Sequence, residues 1–254
     1  MKNFDDRKMK TSLFLAVTVL ITSCVTTEGL PVMEGYRILD VDVEELSGLC
    51  LNHEGTAVLS CGDQGVVKTI SFAGEVIDLW EHDADMEGVA LNPETGDMYI
   101  AVEGSQKVYI LYAPEYKEYK TLFYVQEAVD GNYRNGGLEG ISYYKDDIIF
   151  VGSQVDANLW QYKLDGTMLS KVSLSDFATE VAGLCYDPEN EWIWVADSNE
   201  SKLFVCTPDG TLVATYDLPE IENAESVCVD RKNDCVWVGS DEDSPKLYRL
   251  EFQF

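Results

Sequence analysis

One phrase recurs five times along this chain, and it constrains the fold more than any other feature. It reads Glu45-Leu-Ser-Gly-Leu-Cys-Leu-Asn, Asp85-Met-Glu-Gly-Val-Ala-Leu-Asn, Gly137-Leu-Glu-Gly-Ile-Ser-Tyr-Tyr, Glu180-Val-Ala-Gly-Leu-Cys-Tyr-Asp and Asn223-Ala-Glu-Ser-Val-Cys-Val-Asp. The anchor positions are Gly48, Gly88, Gly140, Gly183 and Ser226, spaced 40, 52, 43 and 43 residues apart. Repetition at such a period marks equivalent supersecondary units that bury their faces against one another.

Each anchor opens an apolar run, and a turn then leads to a second short strand: Ala57–Cys61, Met98–Val102, Ile148–Val151, Trp192–Ala196 and Cys235–Gly239. A third strand follows, as in Val66–Phe72, Leu159–Lys163, Leu203–Cys206 and Leu247–Phe252. In three repeats a tight turn at Ala73-Gly74, Asp165-Gly166 or Asp209-Gly210 leads into a fourth. Asp-Gly between alternating apolar runs is a strong hairpin signal. Four short antiparallel strands per repeat describe one blade of a β-propeller. The expected fold is therefore all-β: a five-bladed propeller of four-stranded antiparallel blades over residues 34–254. The fifth repeat ends at Phe254 after three strands, and Gly35–Val43 has the strand character to complete it. Adding that segment to the last blade closes the ring and hides its edge. An open sandwich or a pair of sheets would leave the fivefold repetition unexplained. The recurring aromatics (Trp80, Trp160, Trp192, Trp194, Trp237 and Tyr248) fall within strands, where packing between blades accounts for them.

The anchor phrases, read together, resemble the SdiA-regulated family of bacterial envelope proteins, distant relatives of NHL-repeat propellers. The resemblance spans residues 34–254 and implies a five-bladed propeller with bound calcium, its biochemical role undefined. Two blades depart from the pattern: Ser47 and Ala182 stand where other blades place Glu before the anchor.

The charge balance points to the same ion. The chain carries 46 Asp+Glu against 18 Lys+Arg, a formal net charge of −28, which excludes non-specific binding to nucleic acid or to anionic lipid surfaces. With 46% hydrophobic residues it can still build a packed core. Glu87, Glu139 and Glu225 each precede an anchor, so they sit at one mouth of the central channel. The second strand returns to the same face, and its exits carry Asp63, Glu103, Asp197 and Asp241, with Ser153 in the third blade. Converging carboxylates repel until protons or a cation relieve them. A hard cation such as Ca²⁺, with six to eight oxygen ligands, suits such a donor set. The alternative employment is for these acids to accept hydrogen bonds from backbone N–H groups and tie the inner strands together. The two histidines, His53 and His82, lack metal-ligand spacing, which argues against zinc or non-haem iron. His82 lies on the loop leading to Glu87, where an acid/base role is conceivable. The insertion Gln126–Gly137 opens on that face too, with Tyr133 and Arg134 placed to cap a ligand.

Residues 1–23 read as a lipoprotein signal peptide. A basic start (Lys2, Arg7, Lys8, Lys10) precedes an apolar run from Leu13 to Ile21, too short to span a bilayer. Leu20-Ile21-Thr22-Ser23-Cys24 resembles a lipobox, which makes Cys24 the acylated N-terminus of the mature chain, and residues 24–33 a short linker. An ordinary secretory peptide with an incidental cysteine is the alternative. Val25 stands where an inner-membrane retention signal would have Asp, which favours the outer membrane. The membrane is then reached through acyl chains alone. Cys50, Cys61, Cys185, Cys206, Cys228 and Cys235 sit within apolar strand patterns and read as inert core thiols.

No H-E-x-x-H, G-x-S-x-G or phosphate-binding glycine loop is present. The expected function is a calcium-binding envelope module whose acidic face takes a protein or small-molecule ligand. The alternatives are a calcium-dependent hydrolase of the lactonase, esterase or phosphoesterase type and a metal-free scaffold.

Overall fold

The structure, a computed structural model, describes residues 29–131, 136–218, 220–241 and 244–254. The signal peptide, the lipobox with Cys24 and the first part of the linker lie outside the described residues, as do Tyr133 and Arg134.

Five four-stranded antiparallel sheets follow one another along the chain. Their inner strands are Gly48–Leu51, Met86–Leu91, Leu138–Tyr143, Gly183–Asp187 and Ala224–Asp230. In blades one to four the outer strands are Val76–Glu81, Tyr119–Tyr124, Met168–Ser173 and Leu212–Asp217. The fifth blade ends with Lys246–Gln253 and receives Val32–Asp40 as its outer strand. That closing strand starts and ends three residues earlier than the sequence pattern predicts. Its partner sets the limits: pairing runs from Val32 opposite Gln253 to Asp40 opposite Lys246, with a bulge between Met33 and Gly35. Residues 41–45 then cross to blade one. The turn glycines behave as the hairpin signal requires, with φ of 88° at Gly74, 86° at Gly166 and 84° at Gly210.

Hydrophobic surface is buried between blades. Each of the five apolar clusters joins neighbouring blades, and each draws on alternate positions of facing strands. Trp160, Trp194 and Trp237 are fully buried in three of them. Trp237 of blade five stacks on Phe72 of blade one with ring centroids 5.2 Å apart, which seals the ring at its closure. Packing therefore accounts for these three aromatics.

The anchors form a collar around the channel. A Cβ at Gly48 would lie 2.7 Å from the Gly88 Cα, one at Gly88 2.4 Å from the Glu139 carbonyl oxygen, one at Gly140 2.8 Å from the Leu184 nitrogen and one at Gly183 2.7 Å from the Ser226 Cα. Backbones this close admit no side chain. The fifth anchor differs for a reason: the Ser226 hydroxyl donates to the Leu46 carbonyl at 2.5 Å, tying blade five to blade one. At the collar no space remains for a water molecule, so the channel is divided into two separate mouths.

This predicts a sharp contrast between two glycines. Gly140→Ala forces a methyl group against backbone that cannot yield, a strain of about 2 kcal/mol or more, and the melting midpoint should fall by about 4 °C or more. Gly35→Ala, on the outer strand with nothing within 4 Å of the new Cβ, should leave it unchanged. Calorimetry of the two variants checks this, and equal midpoints would remove the steric reading of the collar.

Candidate functional site: an acidic channel mouth

The acids predicted at the channel mouth sit in bulges. In blades two, three and five the inner strand slips register between Met86 and Gly88, between Leu138 and Ile141, and between Ala224 and Ser226. Glu87, Glu139 and Glu225 fall within those slips. A bulge frees a residue from the ladder and re-aims its side chain. Blades one and four begin pairing at the anchor glycine, and there Ser47 and Ala182 carry no acid.

The three glutamates are held in a shared field. Burial pushes the Glu87 carboxyl far above the ordinary carboxylate range, with Glu139, Asp63 and Asp85 adding to the rise. Burial raises Glu139 in the same way, reinforced by Glu103 and Glu225. Glu225 is pushed up to about 7 by burial, then by Glu180 and Asp241. Asp241 is raised by burial and by Asp63. The charge deficit of the composition is thus concentrated where desolvation makes it most costly.

Among the described residues one trio gathers closely enough to hold an ion. Asp63, Asp85 and Glu87 each offer a carboxylate oxygen, and these lie within 4.8 Å of one another. Asp63 is exposed at the exit of a second strand, while Asp85 and Glu87 are half-buried. An all-oxygen, all-anionic donor set fits Ca²⁺ and leaves coordination positions for carbonyls and water. Glu139 raises Glu87 and Asp63 raises Glu225, so both glutamates share the electrostatic field of the trio.

The other acids of the second ring divide. Glu103 accepts the backbone N–H groups of Gly136 and of Gly137, the latter at 3.2 Å, and so fastens the end of the long insertion. Gln106 assists by donating to the Glu103 carbonyl at 2.6 Å and accepting from the Leu138 N–H at 3.2 Å. Asp197 is fully buried and its oxygens accept from the Thr179 N–H at 2.7 Å, the Thr179 hydroxyl at 3.0 Å and the Glu200 N–H at 3.0 Å. These two carboxylates take the employment of tying backbone. Asp241 is exposed and stays within the field of Asp63. Ser153, in the same position of blade three, donates to the Val155 carbonyl at 2.6 Å.

Three acids of this mouth escaped the sequence reading: Glu45, Asp85 and Glu180. They stand three residues before the anchors, at the first position of the repeated phrase. Glu45 is raised by burial and by Asp63. Asp85 is raised by burial and by Asp63 as well. Glu180 is buried and accepts from the Ser198 hydroxyl and, at 3.0 Å, from the Asn199 N–H. Blades one and four, which lack the acid before the anchor, therefore supply one two residues earlier.

His82 lies on the loop between Val76–Glu81 and Met86–Leu91, as the sequence places it. Its ring packs among Trp80, Tyr109 and Tyr119, with centroids 5.6, 5.5 and 4.8 Å away, and the Tyr109 hydroxyl lies 3.3 Å from Nε2. The ring is thus part of an aromatic cluster. His53 is exposed on the opposite side of the collar.

No family model matches the chain, and no curated protein matches it. Solved structures do. A chain in the crystal structure of a nidogen/laminin complex aligns with a TM-score of 0.53 at 15% identity, covering 82% of this chain and 84% of that one. A streptogramin B lyase structure aligns with a TM-score of 0.52 at 12% identity, covering 86% and 97%. Both are β-propellers. The fold is shared. With 1478 chains matching, it selects no activity, and the chemistry of this propeller has to be read from its own acidic mouth.

The sign of the electrostatic strain gives a prediction. The Glu225 carboxyl titrates at about 7 in the folded protein and near its ordinary 4.5 when exposed. Between those values the folded state holds a proton that the unfolded chain has lost, so stability falls as pH rises through this window. The melting midpoint of metal-free protein should be higher at about pH 5 than at about pH 8, and Glu225→Gln should flatten the slope. A midpoint that climbs with pH across this window would contradict the buried carboxyl cluster.

Proposed function

We propose that this protein is a calcium-binding β-propeller of the bacterial envelope, tethered through acylated Cys24 at the outer membrane, whose acidic mouth is a binding face. The proximity of the Asp63, Asp85 and Glu87 oxygens carries this reading, because three carboxylates so close need a cation or protons to neutralise them. The anchor phrases support it through their resemblance to SdiA-regulated envelope proteins. A bound Ca²⁺ would complete the face as a rigid, less negative platform for a protein or small-molecule ligand.

Calcium titration of chelator-treated protein should show one Ca²⁺ per chain by calorimetry and elemental analysis. At free calcium one hundred times the dissociation constant, the gain in stability should be about 2.7 kcal/mol. Asp63→Asn and Glu87→Gln should each abolish it. Protein that purifies without metal and melts at the same temperature with and without calcium would rule the site out.

A second reading, a calcium-dependent hydrolase of esters, lactones or phosphoesters, draws on Glu225. A carboxyl that titrates near neutrality beside a cation site has the proton affinity of a general acid or base. One structural neighbour is a streptogramin B lyase, a precedent for a catalytic site on a propeller. The calcium-loaded protein either turns over lactone, aryl-ester or phosphate-ester panels in a Glu225-dependent way or does not, and the latter leaves the binding role.

The anchor has its own test. Cys24→Ser should shift the protein from the membrane fraction to the soluble fraction of the producing cells. Unchanged fractionation would show that Cys24 carries no lipid.

A further inference from the structure

The second mouth of the channel has a different chemistry. Below the collar a cavity of about 580 Å³ opens to solvent, a size typical of small-molecule sites. Leu91, Ile141, Tyr143 and Tyr186 contribute to its walls. Three cysteines also line it: Cys50, Cys185 and Cys228. They occupy one register position, two residues after the anchors of blades one, four and five, where blades two and three carry Ala90 and Ser142. The inner strands thus bring three thiols from three blades to the bottom of one cavity.

These thiols are not equivalent. Cys185 is half-buried, while Cys228 is buried. The Cys185 sulfur accepts the Val229 N–H at 3.3 Å. Val229 directly follows Cys228, so this bond places the Cys185 sulfur beside Cys228 across neighbouring blades. Hydrogen bonding with Cys228 outweighs burial and, with the Val229 amide, holds Cys185 below the ordinary thiol value. Cys228 is pushed well above that value, first by the same bond and then by burial. Cys50 is raised by burial. A half-buried thiol that accepts a backbone amide and lines a cavity has the surroundings of a reactive cysteine.

We propose that Cys185 and Cys228 form a dithiol site that reacts with low-molecular-weight disulfides entering the cavity. The Cys185 thiolate attacks one sulfur of the small disulfide, whose S–S bond breaks and releases one small thiolate. The Cys228 thiol then gives its proton to solvent and attacks the Cys185 sulfur. The mixed disulfide breaks, and the second small thiolate leaves and takes up a proton. Two protein thiols are oxidised to one Cys185–Cys228 disulfide, and one small disulfide is reduced to two thiols. The cavity volume restricts the oxidant to small molecules, and the position of Cys228 beside Cys185 at the same cavity makes it the resolving partner. The product cross-links the inner strands of blades four and five just below the collar.

The test uses fully reduced protein, freed of reductant and exposed to oxidised glutathione, with intact mass and peptide mapping as readouts. The expected product is a Cys185–Cys228 cross-link, with Cys50, Cys61, Cys206 and Cys235 still reduced. Cys228→Ser should stop at a glutathione adduct on Cys185, and Cys185→Ser should slow modification of the remaining thiols at least tenfold. Circular dichroism shows whether each variant is folded. The wild-type map is decisive without them: initial modification at Cys50 or Cys228, a lasting adduct on Cys185 with Cys228 free, or no reaction while urea-unfolded protein reacts would each overturn the proposal.

Discussion

Everything in this propeller depends on how closely five inner strands approach one another. The glycine anchors bring backbone to within van der Waals distance of backbone around the channel, and every other layer is set by that radius. Dispersion and apolar burial between blades hold the strands at this distance. The collar in turn leaves the side chains on either side of it to face two separate openings. Residues just before the anchors crowd into one mouth and those two places after them line the other. A single tight constriction thereby creates two sites of unrelated chemistry from one repeated phrase.

The acidic mouth is a place where folding works against electrostatics. Isolated carboxylates prefer water, yet Glu139 and Glu180 are buried here, and Glu87 and Glu225 are partly so. Some of the cost is offset by backbone donors, as at Asp197 and Glu103, whose oxygens fasten loops. The remainder gathers around Asp63, Asp85 and Glu87, where like charges raise Asp85 and Glu87 further. The apolar contacts between blades supply the stability that tolerates this strain. Such a site behaves as a spring held compressed by the fold, released by whichever positive species arrives first.

The architecture was legible because one short phrase repeats and the turn residues agree with it. Ala57–Cys61 and Met98–Val102 match the observed second strands at both ends. The closing strand was displaced because its limits are set by a partner more than two hundred residues away in sequence, which local patterning does not encode. The acids before the anchors were recognisable by position. Glu45, Asp85 and Glu180 were overlooked because they precede the inner strands Gly48–Leu51, Met86–Leu91 and Gly183–Asp187, where strand patterning no longer says which way a side chain points. The inner-strand bulges break strand alternation in blades two, three and five, and a bulge leaves little trace in composition. The thiols were read as inert since an apolar strand pattern says nothing about the cavity at its end. Only the convergence of three blades at the second mouth distinguishes Cys185 from Cys206.

The closing strand has a consequence for how the molecule is made. Val32–Asp40 precedes the first repeat, and its partner Lys246–Gln253 belongs to the fifth. Until Lys246–Gln253 is in place, Val32–Asp40 has no ladder to join, and the interface between blades five and one has only one wall. Four blades can assemble in order while the fifth waits, so ring closure is the late, long-range step of folding. A ring closed in this way depends on a pairing between segments more than two hundred residues apart in sequence. The fold is thus timed by its own topology.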